Sequence, residues 1–150
     1  TRGLARAGAN VVVTARRQEL IDQTADMVRS YGGKALALSA DITDEAQIEG
    51  VFARTVEEFG KLDILVNNAG YTDRSGLRHD LGSFKRMRSI VELDLLATIN
   101  GCRLAGQQML SQGTGGVMIN VSSILGRVGS EYRAASYHLV SWVVKIWVVA

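Results

Sequence analysis

The chain has 150 residues, which is enough for about one domain with a core of its own. Hydrophobic residues make up 47% and charged residues 21%, a balance typical of a soluble globular protein. The formal net charge is only +2 and the basic residues are scattered, so nothing predicts a nucleic-acid partner. No apolar run reaches the roughly 18–20 residues that cross a bilayer, so we expect no membrane span.

The single cysteine and the two chain ends bear on the cellular compartment and on the extent of the domain. Cys102 excludes an internal disulfide and fits a reducing compartment such as the cytoplasm; we expect it to be a small buried apolar residue. The chain begins at Thr1 and stops at Ala150, in both cases inside a helix-like phrase. We therefore interpret it as a piece of a larger domain, truncated at both ends.

The first half of the chain alternates short apolar runs with amphipathic segments. "NVVVTA" (10–15) is apolar at consecutive positions, as in a parallel strand covered on both faces, and "ALALSAD" (35–41) predicts a second strand. The segment 18–32 between them predicts a helix closed by glycines. In the next helix Asp44 and Gln47 have capping-box spacing. Its apolar stripe consists of Ile48, Val51, Phe52, Val56 and Phe59.

The second half continues the alternation. "LDILV" (62–66) predicts a third strand, followed by the polar and small cluster "NNAG" (67–70) and a loop over 71–83. A long helix is expected over 84–112, a fourth strand over 117–123, and a helix again from about residue 136. Strands that alternate with helices predict an open, doubly wound α/β fold with a parallel sheet and right-handed crossovers.

Residues that directly follow the predicted strands are the candidates for a binding site. Ligands of such folds bind beyond the carboxyl ends of the strands. Four clusters occupy these places and are expected along one edge of the sheet: residues 15–17, 41–42, 67–70 and 122–123.

Five phrases, in order along the chain, carry a resemblance to a known family. They are "LARAGANVVVTARR", "ADITDEAQI", "DILVNNAG", "INVSSILGRVG" and a tyrosine 14 residues beyond Ser123. Together they resemble the short-chain dehydrogenase/reductase family. The resemblance implies a Rossmann-type sheet that carries NAD(H) or NADP(H), and interconversion of small-molecule alcohols and carbonyl compounds. Residues 1–150 would then be a partial NAD(P)-binding domain, without the family's glycine-rich loop and later strands.

The resemblance assigns catalytic roles to Ser123 and Tyr137. Ser123 would hydrogen-bond the substrate oxygen and Tyr137 would pass a proton to or from it, because negative charge grows on that oxygen as hydride reaches the carbonyl carbon. Ser122 is the alternative serine, and a capping role for Ser123 stays open. Tyr137 could instead be a packed core aromatic. Tyr132 lies only nine residues from Ser123, too close for the family spacing.

The resemblance also assigns cofactor contacts. Asp41 and Ile42 match the family's adenine-contacting pair, although Asp41 could merely help to cap the next helix. Asn68, Ala69 and Gly70 match the loop that lines the cofactor, although they could form a simple turn.

The residues after the first strand bear on the choice of cofactor. Where an NAD-preferring relative often has a carboxylate on the ribose hydroxyls, this chain has Ala15 followed by Arg16 and Arg17. Guanidinium groups favour a 2′-phosphate, so NADP(H) is expected as the preferred cofactor and NAD(H) remains possible. A solvated arginine pair is the alternative.

Two family positions are altered. Ser141 stands where the family has a lysine one helical turn beyond the tyrosine, and Lys145 lies two turns on, about 12 Å along a helix axis. Asp94 stands at the place of an asparagine that completes the family's proton relay. A second hypothesis is therefore a catalytically impaired relative that keeps the fold for binding or assembly.

The remaining expectations concern partners and metals. The family commonly assembles through its long central helix and its tyrosine-bearing helix, so a homo-oligomer is expected. His79 and His138 have no further ligands at metal-binding spacing, so no metal site is expected.

Overall fold

The computed structural model describes residues 1–71, 84–124 and 147–149. The chain divides into two compact units, Thr1–Lys61 and Leu62–Ala150. The first unit contains helix α1 (Arg2–Arg6), strand β1 (Val11–Ala15), helix α2 (Gln18–Ser30), strand β2 (Ala35–Ser39) and helix α3 (Glu45–Phe59). In the second unit the order is strand β3 (Ile64–Asn67), helix α4 (Phe84–Ile90), a π-helical segment (Val91–Leu96), helix α5 (Ala97–Ser111), strand β4 (Gly116–Asn120) and strand β5 (Trp147–Val149).

The first unit is a βαβ arrangement. β1 and β2 pair in parallel, from Val11 opposite Ala35 to Ala15 opposite Ser39, and α2 connects them. The three buried residues of α2 recur at spacings of four and three, which places one face of the helix on the sheet: Ile21, Ala25 and Val28. Both strands follow the prediction, except that β2 ends two residues earlier than expected.

Helix α3 confirms Asp44 as the cap, but the predicted capping box is only half formed, because the Gln47 side chain accepts a hydrogen bond from the backbone N–H of Asp41 at 2.9 Å and not from that of Asp44. Asp44 is the N-cap, and its side chain accepts a hydrogen bond from the backbone N–H of Gln47 at 3.1 Å. The helix ends at Gly60, whose φ of +78° is a left-handed conformation that glycine adopts without strain.

The second unit contains a mixed sheet. β3 and β4 are parallel, from Ile64 opposite Val117 to Asn67 opposite Asn120. Strand β5 runs antiparallel to β4, so the helix expected from about residue 136 is wrong for residues 147–149. Tryptophan and valine favour extended backbone, and pairing with β4 gives the backbone of β5 hydrogen-bond partners. Residues 136–146 lie outside the described part.

The long central helix is continuous over residues 84–111 but includes a π-helical segment that the apolar pattern did not predict. Short π-helical segments inside α-helices are frequent at functional sites. One row of buried residues runs along this helix: Ile90, Asp94, Gly101, Ala105 and Met109. α5 packs on β3 and β4, and a Cβ at Gly116 would meet the side chain of Met109, so helix and strand are in close contact.

Candidate functional site

At the carboxyl ends of β1 and β2 the structure brings Arg16 and Asp41 together. The Nη1 atom of Arg16 lies 3.8 Å from Oδ2 of Asp41. The Arg16 side chain is 77% exposed, so the guanidinium group can contact a ligand while staying near the carboxylate. Arg17 and Ile42 stand beside this pair, Arg17 exposed at the N-cap position of α2 and Ile42 half-buried.

Asp41 is fixed by its own turn. Its Oδ1 accepts hydrogen bonds from the backbone N–H of Thr43 at 3.0 Å and from the Thr43 hydroxyl at 2.8 Å. The backbone bond from Thr43, then the hydroxyl bond, and less strongly Arg16, hold the pKa of the Asp41 carboxyl below its ordinary value. The cap of α3 is Asp44, so Asp41 holds the preceding turn rather than the helix end. The Asp41 carboxylate is therefore ionised and fixed at this edge.

At the carboxyl end of β3 the predicted loop is exposed. Asn68, Ala69 and Gly70 directly follow the strand, and all three present their surface to solvent. A Cβ added at Gly70 would lie 3.6 Å from Oδ1 of Asp94, an ordinary contact. The alanine and glycine here leave the backbone of the loop accessible.

Asp94 holds the end of this loop. Its Oδ1 accepts a hydrogen bond from the backbone N–H of Tyr71 at 2.9 Å, and the residue is only 8% exposed. Burial raises the pKa of the Asp94 carboxyl above its ordinary value, and the Tyr71 bond opposes that rise. The altered family position therefore contacts the predicted cofactor loop.

At the carboxyl end of β4 the two candidate serines follow the strand closely. Ser122 is exposed and Ser123 is half-buried. Within the second unit the structure thus brings residues 68–70 and 122–123 to the same end of the β3–β4 pair, as predicted. Tyr137, its alternative Tyr132, and Ser141, Lys145, His79 and His138 lie outside the described residues.

Sequence reasoning placed Asn67 among the candidates but missed its contacts with two other polar side chains at this end of the strand pair. Asn67 ends β3, Asn120 ends β4, and the thiol of Cys102 on α5 contacts both side chains. Cys102 is half-buried and hydrogen-bonded, so the expectation of a buried apolar residue is wrong. Asn67 directly after the third predicted strand and Asn120 within the fourth were the available signal.

The described residues show neither a metal-binding cluster nor a membrane-spanning helix. They contain no group of three or more histidine, cysteine or acidic side chains that could hold a metal ion. Over the same ranges, every helix is too short or too polar to cross a bilayer.

Parallel strands joined by helices, with polar residues at the carboxyl ends, define an α/β protein of the Rossmann-type class. The chain belongs to the short-chain dehydrogenase family, because the family model described as short chain dehydrogenase matches residues 1–138. A solved structure of a short-chain type dehydrogenase/reductase from Mycobacterium marinum is similar, with a TM-score of 0.87 and 27% identity. That similarity covers 94% of this chain and 57% of the other.

Curated relatives carry activities in their names. The chain is 38% identical to cis-4-hydroxycyclohexanecarboxylate dehydrogenase of Sinomonas cyclohexanicum, over 88% of this chain and 53% of the relative. It is 34% identical to 2-(R)-hydroxypropyl-CoM dehydrogenase of Xanthobacter autotrophicus, over 90% and 54%. It is 31% identical to the ketoacyl reductase HetN of Nostoc sp., over 94% and 50%. The chain therefore spans about half the length of these relatives.

Proposed function

We propose that the full-length protein is an oxidoreductase that transfers hydride between NADP(H) and a small carbonyl or alcohol substrate. Family membership supports the reaction class. The names of the three relatives above, two dehydrogenases of hydroxyl compounds and one ketoacyl reductase, support the substrate class.

The observation that carries the choice of cofactor is Arg16 at the end of β1. Ala15 leaves no carboxylate to accept hydrogen bonds from ribose hydroxyls, and the exposed guanidinium of Arg16 offers a fork of donors to a 2′-phosphate. Asp41 lies 3.8 Å away and keeps the guanidinium close to the edge of the sheet. Asp41 and Ile42 would contact the adenine.

The residues present fit a dinucleotide. Asn68, Ala69 and Gly70 form an exposed, small-residue loop with accessible backbone, and Asp94 holds its far end through Tyr71. The bound nicotinamide supplies or accepts the hydride. Ser123 would stabilise the substrate oxygen by a hydrogen bond, and Tyr137 would move the proton.

Titration of the full-length protein with NADPH and NADH, followed by nicotinamide fluorescence, tests the cofactor. We expect tighter binding of NADPH, and we expect Arg16→Ala to weaken NADPH much more than NADH, because only NADPH carries the 2′-phosphate. Arg29→Ala is the control: Arg29 is also an exposed, ion-paired arginine of the first unit, but it pairs with Asp26 on α2. Equal affinities for the two cofactors, or an NADH preference, would reject the proposal.

A second candidate function is a catalytically impaired relative that keeps the fold for assembly. The buried carboxyl group of Asp94 at an altered family position favours it. So does an exposed apolar face on the long helix, on which Phe84 is 72%, Leu96 52% and Ile99 53% exposed. This face also supports a homo-oligomer for either candidate, since apolar surface of this kind marks protein interfaces. Turnover with a panel of ketones and secondary alcohols separates the two candidates.

The cytoplasmic location remains a prediction that rests on the single Cys102.

A further inference from the structure

The last residues of β3 and β4 are joined twice. Asn67 lies opposite Asn120 in the strand register, and the backbone N–H of Val121 donates to the carbonyl oxygen of Asn67 at 2.9 Å. The side chains add a second link, because Nδ2 of Asn67 donates to Oδ1 of Asn120 at 2.8 Å. Asn120 is only 7% exposed and Asn67 is half-buried, so this bond is partly shielded from water. We call this side-chain link the asparagine bridge.

Helix α5 contacts the asparagine bridge. The Cys102 thiol accepts a bond from Nδ2 of Asn67 at 3.4 Å and donates to Oδ1 of Asn120 at 3.6 Å. Burial raises the pKa of this thiol, so it stays protonated and able to donate at neutral pH. At the preceding helix residue, a Cβ at Gly101 would lie 2.8 Å from Oδ1 of Asn67. The Asn67 amide therefore has little freedom to rotate.

The asparagine bridge stands between the two segments that the proposed reaction uses. Asn67 directly precedes the loop 68–70, and Asn120 lies three residues before Ser123. We propose that Asn67 and Asn120 are positioning residues, whose part-buried side-chain bond fixes the spacing between the cofactor loop and the catalytic serine. This inference rests on the proposed function, because it assigns those two segments to cofactor and substrate.

A bond at this place affects rate for a geometric reason. Hydride transfer requires the substrate oxygen, held by Ser123, and the nicotinamide, held partly by the loop, in one fixed arrangement. A misplacement of about 1 Å can cost about 100-fold in rate. Among the described residues no further backbone hydrogen bond joins these two segments beyond Val121, so the side-chain bond reinforces the last position at which the two strands are paired.

A matched control lies at the opposite end of the same strand pair. The Gln112 amide bonds the backbone N–H of Leu62 at 3.0 Å and the carbonyl oxygens of Leu62 and Gly115 at 2.8 and 3.1 Å. These are also part-buried amide bonds, but they precede β3 and β4 rather than follow them. Gln112→Ala should therefore lower stability without affecting the spacing at the carboxyl ends.

The decisive variant is Asn67→Asp in the full-length protein. It keeps the size of the side chain but replaces the donor Nδ2 with an oxygen facing Oδ1 of Asn120. The ionised carboxylate cannot donate, whereas the protonated form restores an O–H donor. We expect kcat to fall about ten- to 100-fold at pH 8, and the ratio of variant to wild-type kcat to recover as the pH is lowered. For Gln112→Ala this ratio should stay near one at every pH.

Asn120→Ala is the second variant, needed if Asn67→Asp does not fold at pH 8. It removes the acceptor without adding a charge, so its loss of kcat should be similar and independent of pH. If both variants keep kcat within two-fold of Gln112→Ala, the asparagine bridge is merely structural and the proposal fails.

Hydrogen exchange tests the inference separately from the reaction. Backbone amides of residues 68–71 and 121–124 should exchange faster in Asn120→Ala than in Gln112→Ala. Absence of turnover in the wild-type protein would reject the proposed function, and the exchange comparison would still decide the inference. Equal exchange at both segments in the two variants would overturn it.

Discussion

Replacement of Gly101 by alanine tests the close packing of α5 on the end of β3. The added Cβ would lie 2.8 Å from Oδ1 of Asn67 and 3.5 Å from its Cγ and Nδ2. Real Cβ atoms do not approach an oxygen so closely, so either the helix or the Asn67 amide must shift. A shift of that amide weakens its bonds to Asn120 and Cys102.

The expected magnitude is a balance of opposing effects. Alanine is favoured over glycine in a helix interior by about 1 kcal/mol. Overpacking a close contact costs about 1–3 kcal/mol, and a buried amide that loses its partner costs about 1–3 kcal/mol more. The losses outweigh the gain, so we expect Gly101→Ala to lower the free energy of unfolding by roughly 1–5 kcal/mol.

Gly50 in α3 provides the control. It is exposed inside a helix, and no heavy atom lies within 4 Å of the added Cβ, so Gly50→Ala should stabilise by about 1 kcal/mol. The assay is urea unfolding of the full-length protein with both variants side by side, supported by thermal melts in which about 1 kcal/mol corresponds to about 2–4 °C. If Gly101→Ala proves as stable as Gly50→Ala, the close contact described here does not exist.

Three further predictions follow from the altered positions and the exposed surface. The pKa of the Asp94 carboxyl is raised in the folded protein, so its protonated form stabilises the fold below the unfolded pKa of 3.8, and this contribution is lost as the pH rises through the folded pKa. Asp94→Asn should therefore raise the melting temperature at pH 7. This advantage should shrink as the pH is lowered, and a pH-independent difference would contradict it. The isolated 150 residues, which expose Ile64 and Val66 of β3, should be poorly soluble and bind no dinucleotide; a cooperative melt that NADPH shifts upward would refute this. Ser141→Lys in the full-length protein should increase alcohol oxidation more than carbonyl reduction, since a cation about 4–6 Å from a phenol commonly lowers its pKa by 1–3 units. Tyr137→Phe in that background should abolish the gain, and a gain that survives it would show that Tyr137 is not the catalyst.

Local patterns predicted the regular elements well, because their causes lie within a few residues. Strand β1 was predicted from its consecutive apolar residues, which are typical of a strand packed between helices. The start of α3 was predicted from Asp44, whose side chain accepts a hydrogen bond at the end of the helix. The π-helical segment was missed because one additional residue per turn leaves nearly the same apolar spacing as an α-helix. β5 was predicted as helix because a short apolar run has the same appearance in either structure.

The sequence predicted that candidate residues lie at the ends of the strands, but it did not predict which of their side chains are in contact. Arg16 and Asp41 follow directly from strand ends in the sequence, and the structure brings them together. The contact of Asn67 with Asn120 spans 53 positions and depends on strand register. The contact of Asp94 with Tyr71 spans 23 positions and involves a residue of the π-helical segment. Neither can be derived from spacing along the chain.

The sequence distances across the two parallel strand pairs have a consequence for the order of folding. β1 pairs with a strand 24 positions away, whereas β3 pairs with one 53 positions away. Loop-closure entropy grows with the logarithm of length, so the longer closure costs about 0.7 kcal/mol more. The Gln112 amide bonds to Leu62, 50 positions apart, gain their enthalpy only after that loop has closed. The first unit is therefore expected to acquire structure early, and the carboxyl ends of β3 and β4 to come together late.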